Sequence, residues 1–165
     1  MTRLYLAGGC FWGVEAYFKK LKGITYTKVG YINGNISNPT YEEVCKGEAT
    51  HAEAVLVDFD EQIISLSKVL DYFFRIIDPY SLNKQGEDEG IQYRSGIYYD
   101  DISLDDNIKT YIKNKFPKSL NRVKTEVEIN QGFYDAEEYH QDYLNKNING
   151  YCHVNLLDID EEDLK

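Results

Sequence analysis

Basic residues are scarce in this chain, long apolar runs are missing and thiols are few, and each shortage excludes something. Lys and Arg number 18 against 28 Asp and Glu, a formal charge of −10 at pH 7. No basic stripe interrupts that excess. An acidic surface repels phosphate backbones and anionic lipid, which excludes nucleic-acid binding and adhesion to a charged membrane. No stretch approaches the ~18 apolar residues of a membrane span. The opening run Leu4 to Ala7 is too short for the apolar centre of a secretory leader, so the expected location is the cytoplasm. The three cysteines, Cys10, Cys45 and Cys152, are too few and too scattered for a disulfide scaffold or a four-ligand zinc site, and no metal is expected. In a reducing compartment each is either a small buried hydrophobe or a reactive thiol.

What is present suits one globular unit. A length of 165 residues with 42% apolar and 28% charged side chains fits a single core. Leu4 to Ala7 reads as a strand, Phe11 to Leu21 as a helix and Thr25 to Tyr31 as a strand. Asn33 to Thr40 is a loop, Ala52 to Phe59 a strand and Ser65 to Ile77 a helix. Pro79 to Arg94 has no periodicity, and long irregular segments inside a compact domain are more often functional than not. Ser95 to Tyr99 and Val123 to Ile129 read as strands, Leu104 to Phe116 and Asp135 to Lys146 as helices. The expected fold is α+β: a two-layer α/β sandwich with a mixed, ferredoxin-like sheet and long coil segments. It forms a single catalytic domain over 1–165, with a coil-rich tail from about 147. The acidic run Asp158, Asp160, Glu161, Glu162 and Asp163 is expected to be a solvated, loosely ordered end.

Cys10 stands between a strand with its Gly8-Gly9 turn and the start of a helix. A thiol there faces the unpaired amides and positive dipole end of the first helical turn, which predicts a pKa below the ~8.5 of a free cysteine. Phe11 and Trp12 follow, either as an apolar pocket for a small methyl-bearing group or as the first core residues of the helix. Glu53 lies in a β-rich run, as an outward-facing strand residue or as a partly desolvated acid. His51, on the same strand face, is its partner or a surface side chain. On these residues alone a thiol hydrolase using His51 or His140 as base, and a non-catalytic binding cleft, both stand beside a redox reading.

Five segments narrow the choice. Gly9-Cys10-Phe11-Trp12-Gly13-Val14-Glu15 resembles the signature of the methionine sulfoxide reductase A family. In the same order come Asn38-Pro39-Thr40-Tyr41 with Val44-Cys45, Gly47 to Val55, Asn83-Lys84-Gln85-Gly86 through Gln92-Tyr93-Arg94-Ser95, and Glu138-Tyr139-His140-Gln141 with Tyr143. Together they span Leu6 to about His153.

The resemblance implies that Cys10 attacks the sulfoxide sulfur, Phe11 and Trp12 receive the methyl group, and Glu53 supplies the proton. It implies that Tyr41 and Tyr93 donate hydrogen bonds to the oxygen, that Asp88 supports that network, and that His140 lies near the substrate. Attack leaves a sulfenic acid on Cys10, which Cys152 resolves as a disulfide. No bound cofactor is implied; thioredoxin, or dithiothreitol in its place, is the external reductant. The implied substrate is the S-sulfoxide of methionine, free or in oxidised proteins, and the implied state is a monomer. Cys45 is expected to be structural, with a back-up resolving role as the alternative. The chain departs from the family's pattern in four respects. No cysteine follows Cys152, Ala49-Thr50 replaces Thr-Gly, Ile77 replaces a frequent histidine, and Asn33 replaces a glycine. The last three bear on loop geometry more than on chemistry.

Overall fold

A computed structural model describes residues 1–147, 150 and 153–165. Its centre is a six-stranded sheet in the order β7-β6-β1-β3-β2-β8. Strands β1 (Thr2–Ala7), β2 (Ile24–Ile32), β3 (Ala52–Phe59) and β6 (Gly96–Tyr99) combine with helices α1 (Phe11–Lys19) and α3 (Leu66–Ile76). They run β-α-β-β-α-β, and every neighbouring pair among the four strands is antiparallel, as in ferredoxin-like folds. Helix α4 (Leu104–Lys115) carries the chain to β7 (Glu126–Ile129), which pairs parallel to β6 and makes the sheet mixed.

Period-two alternation explains which side chains reach the helices. Along β3, Val55, Val57 and Phe59 join the main core, while Ala52, Ala54 and Leu56 lie in a smaller cluster on the other face. Glu53 shares the helix-side parity, so a carboxyl is aimed into the apolar layer. Helix α3 starts at Ser65, whose hydroxyl accepts from Lys68 N–H, and it buries Val69, Leu70, Tyr72, Phe73 and Phe74. Short α2 (Tyr41–Cys45) is opened by a capping box between Thr40 and Glu43. The irregular segment before β6 holds a two-residue hairpin, β4 (Lys84–Gln85) with β5 (Asp88–Glu89), and a 3₁₀ turn at Ile91–Tyr93.

Two expectations are corrected. Asp135 to Lys146 is not one helix: it opens as the end of edge strand β8 (Phe133–Asp135), continues as a 3₁₀ turn at Glu138–His140, and closes as α5 (Tyr143–Lys146). Long-range hydrogen bonds outweigh the helical pattern there. Gln141 accepts from Val29 N–H and donates to the carbonyls of Val29 and Ala136. Asp142, at φ 54°, donates its N–H to Glu15 Oε1.

The acidic tail is not loosely held either. Tyr17 donates to the Asp158 carbonyl at 2.7 Å, Arg75 pairs with Asp160 at 3.0 Å, and Lys68 pairs with Asp163 at 2.9 Å. Tyr72 also donates to Asp163, and Leu164 bridges to Leu21. The run finds cations and phenols waiting on α1 and α3, so charge fastens the tail. Of the departures from the family pattern, Asn33 takes φ 52°, a left-handed conformation that Asn tolerates.

Candidate active site

Cys10 leaves β1 through a turn that only glycines permit. Gly9 has φ +84°, and a side chain there would meet Gln85 and His153 at 2.9 Å. Cys10 is the N-cap of α1, and its thiol is buried, with 7% of the residue exposed. The amides of Trp12 and Gly13 favour the thiolate, but neither closes a capping hydrogen bond. Burial is the larger influence, and the charge of Glu53 adds to it, so the thiol pKa lies above its ordinary value. The expected lowered pKa is thereby corrected: desolvation outweighs the helix terminus.

Glu53 is 1% exposed. Its Oε1 accepts the Phe11 N–H at 3.3 Å, while Oε2 has no partner among the described residues. Burial pushes its pKa up to about 8; Asp88 adds to the rise and the Phe11 amide opposes it. The carboxyl therefore carries a proton at neutral pH. A protonated acid beside a buried thiol is suited to protonating an oxygen while the sulfur attacks.

Two phenols share the electrostatic environment of the same carboxyl. Tyr41 opens α2 and Tyr93 ends the 3₁₀ turn, and both are half-buried. Burial holds both pKa values high. A hydrogen bond to Cys45 contributes for Tyr41, and the charges of Glu53 and Asp88 contribute for Tyr93. Both phenols remain donors at neutral pH. Asp88 also acts electrostatically on Cys10 and Glu53.

Aromatic rings form the remaining wall. Phe11 tilts against Tyr31 at 5.8 Å and His140 at 5.3 Å. Trp12 stacks on Tyr143 at 3.8 Å, and its indole N–H donates to His140 Nδ1 at 3.0 Å. His140 is buried, not on a helix surface, and its ring touches Tyr41 at 4.4 Å. Of the residues singled out from sequence, Cys10, Phe11, Trp12, Tyr41, Glu53, Asp88, Tyr93 and His140 fall into one neighbourhood, and Cys152 lies outside the described residues.

His51 is buried, which removes the surface reading. It packs against Gly34 and the Tyr134 ring, and no hydrogen bond joins it to Glu53. Among the described residues no hydrogen bond links Cys10 to a histidine, so the Cys–His pair of a thiol hydrolase is not formed. Cys45 is exposed and lies against the Tyr41 hydroxyl.

Sequence reasoning missed Glu137. Its two oxygens accept from Tyr31 OH at 2.8 Å and Tyr41 N–H at 2.9 Å, tying β2 and α2 to the turn that carries His140. Adjacency to Glu138-Tyr139-His140 was the only signal for it. A groove of about 670 Å³ between α4 and β7, lined in part by Ile112, Leu120 and Val127, contains none of these site residues. Asp160, Glu162 and Asp163 bring oxygens within 4.8 Å of one another, as a cation site requires. Two of the three are already engaged by Arg75, Lys68 and Tyr72.

Comparison with known proteins identifies the family. A family model described as peptide methionine sulfoxide reductase matches residues 2–164. The peptide methionine sulfoxide reductase MsrA of Clostridium tetani is 55% identical over 158 residues, covering 94% of this chain and 95% of its own. Reduced Mxr1 from Saccharomyces cerevisiae superposes with a TM-score of 0.84 at 41% identity, over 91% of this chain and 87% of that one. Mxr1 in complex with Trx2 gives a TM-score of 0.60 at 30% identity, over 84% of this chain and 82% of that one.

Proposed function

This chain belongs to the peptide methionine sulfoxide reductase family, and from that membership we propose that it reduces methionine sulfoxide to methionine at Cys10, with a thioredoxin as the recycling reductant. The observation that carries the residue roles is the protonated Glu53 carboxyl gripping the peptide that joins Cys10 to Phe11.

The substrate methyl lies against Phe11 and Trp12, where each buried carbon gains about 0.8 kcal/mol and sulfur packs on aromatic rings. His140 fixes the Trp12 indole. Tyr41 and Tyr93 donate to the sulfoxide oxygen as negative charge grows on it. Cys10 Sγ attacks the sulfoxide sulfur while Glu53 gives its proton to the oxygen. The thiol proton then replaces the one Glu53 lost. The oxygen passes to Cys10 Sγ as a sulfenic acid, and methionine leaves as the thioether. Asp88 raises the proton affinity of the acid.

The Cys152 thiol attacks the sulfenic sulfur. An S–S bond forms, the S–O bond breaks, and the hydroxyl leaves with the thiol proton as water. Thioredoxin opens that disulfide by dithiol exchange. No resident cofactor or metal takes part in this cycle. The substrate is the S epimer, free or in oxidised proteins. The chain works as one catalytic domain and as a monomer, and the free thiols Cys10 and Cys45 suit the cytoplasm.

The test follows consumption of separate S and R sulfoxides, free and in a peptide, with dithiothreitol and then with thioredoxin. Loss of the S epimer alone is expected. A purified protein that leaves every sulfoxide intact refutes the proposal.

A further inference from the structure

Glu15 ends the sequence segment that carries Cys10, yet the chemistry above gives it nothing to do. It lies on α1, one turn beyond Trp12, and is 2% exposed. A carboxyl at that depth loses its water, and burial pushes its pKa up. Two donors and the charge of Lys19 oppose the rise. Thr27 donates its hydroxyl to Oε2 at 2.9 Å, and Asp142 donates its backbone N–H to Oε1 at 2.7 Å.

The second contact falls on an unusual residue. Asp142 has φ 54° and ψ 37°, left-handed values that a side chain adopts at a cost. It is the N-cap of α5, and its carboxylate pairs with Lys19 at 2.8 Å. Glu15 and Lys19 stand four residues apart, on one face of α1. That face therefore grips both the amide and the side chain of Asp142. The next residue, Tyr143, lays its ring on Trp12 at 3.8 Å, with the planes 12° apart. Trp12 is thus held by the Tyr143 ring and, through its N–H, by His140.

We propose that Glu15, backed by Lys19, is a positioning residue that fixes the start of α5 on α1 and so holds Tyr143 against Trp12 in the substrate pocket. The inference rests on the reading of Trp12 as a wall for the substrate methyl. Among the described residues Glu15 shares no hydrogen bond with Cys10 or Glu53, so its loss acts on binding and spares the chemical step. A wall already in place binds better than one that must be ordered when the substrate arrives. Losing binding that is uniform through the reaction raises KM and leaves kcat unchanged.

Trp12 is the only tryptophan in the chain, so its fluorescence reads the stack without substrate. The test uses the full chain with its thiols reduced. Glu15→Leu fills much the same space and removes both acceptors. Its Trp12 emission is expected at longer wavelength, with KM for a sulfoxide peptide up about tenfold and kcat within about twofold of the parent. Glu15→Gln still accepts from Asp142 and can donate to Thr27, so it is expected to restore the emission and most of the KM. In Tyr143→Leu the stack is already gone, and adding Glu15→Leu is expected to raise KM no further. Lys19→Ala strips only the surface half of the clamp and keeps the test open if Glu15→Leu does not fold. It is expected to shift emission the same way and to raise KM about twofold.

Parental emission and KM in Glu15→Leu, or in Lys19→Ala where the first does not fold, overturn the inference. So do KM effects of Glu15→Leu and Tyr143→Leu that multiply, or a fall in kcat and melting temperature at constant KM, which mark a purely structural role. A parent chain that consumes no sulfoxide overturns the reading of the site instead, and the emission shift alone then judges the clamp.

Discussion

The Glu53 carboxylate oxygen Oε1 accepts the backbone N–H of Phe11 at 3.3 Å, across the strand–helix junction. That amide is the one bonded to Cys10, so the sheet's buried acid and the helix's buried thiol are fixed by a single peptide. In neither group do the amides that favour the anion outweigh burial. Burial raises the pKa of both; the charge of Glu53 adds to the rise at Cys10, and that of Asp88 to the rise at Glu53. The resting site therefore stores two protons, and substrate binding can draw on the carboxyl's proton directly.

Glu53→Gln preserves the acceptor for Phe11 N–H and the side-chain shape, and removes only the acid. Methionine formation in a single turnover is expected to fall about 10²- to 10⁴-fold, the usual worth of a general acid. Cys10 should also react with iodoacetamide at lower pH than in the parent, because the opposing charge is gone. An unchanged turnover rate would falsify the role of Glu53.

The same carboxyl links stability to pH. Its folded pKa of about 8 lies above the ordinary 4.5, so between those values the folded chain binds more protons than the unfolded one. Stability from this group is fully present below about 4.5 and is lost as pH rises toward and through about 8. Glu53→Gln is therefore expected to melt above the parent at pH 9 and to lose that advantage at pH 5. Activity of the parent should decline over the same alkaline limb. Thermal denaturation at the two pH values decides the matter, and an equal difference at both contradicts the raised pKa.

The central strands and α3 were legible because alternation and helical spacing record burial directly. Ala52–Phe59 and Leu66–Ile76 needed no tertiary information. The segment from Asp135 to Lys146 was not legible, because its course is set by Gln141, Glu137 and Glu15 reaching partners over a hundred residues away. Side-chain bonds of that range leave no periodicity. The tail failed for a related reason: a run of acids resembles solvated charge until Lys68, Arg75 and Tyr72 are seen opposite it. At the site, motif order gave the residues, but the sign of the Cys10 shift required the depth of burial, which no local pattern encodes.

Trp12→Phe keeps an aromatic face and removes the donor to His140 Nδ1. His140 Nε2 already lacks a partner among the described residues, so the ring is left with neither nitrogen bonded. Losing a buried partner costs about 1–3 kcal/mol. The wall should loosen, with KM for the sulfoxide rising several-fold and kcat little changed. Steady-state kinetics with a peptide substrate checks this, and a fall in kcat at constant KM contradicts a binding role for Trp12.

Deleting residues 158–165 strips the clamp from α1 and α3. The ion pairs are partly exposed and worth about 0–1 kcal/mol each. Leu21 and Tyr17, both fully buried, would meet water, and exposing a leucine side chain alone costs about 1.5–3 kcal/mol. A loss on the order of 3 kcal/mol is expected in urea denaturation. The single change Tyr72→Phe, which removes only the hydroxyl bonded to Asp163, should cost about 1 kcal/mol. A truncated chain as stable as the parent would show that the tail merely rests on the surface.

Cys152→Ser separates the chemical step from recycling. The substitution leaves Cys10 and Glu53 untouched, so one methionine per chain is expected at the parent rate, after which Cys10 stays a sulfenic acid. Thioredoxin requires a disulfide to open, and turnover driven by it should stop. Dithiothreitol is small enough to attack the sulfenic sulfur directly, so cycling with that thiol should persist. Cys45 cannot be assumed idle, because it is exposed and lies against Tyr41. Cys45→Ser is the necessary companion, and it should cycle with thioredoxin as the parent does. Sustained thioredoxin-driven turnover in Cys152→Ser, abolished only when Cys45 is also replaced, would transfer the resolving role to Cys45.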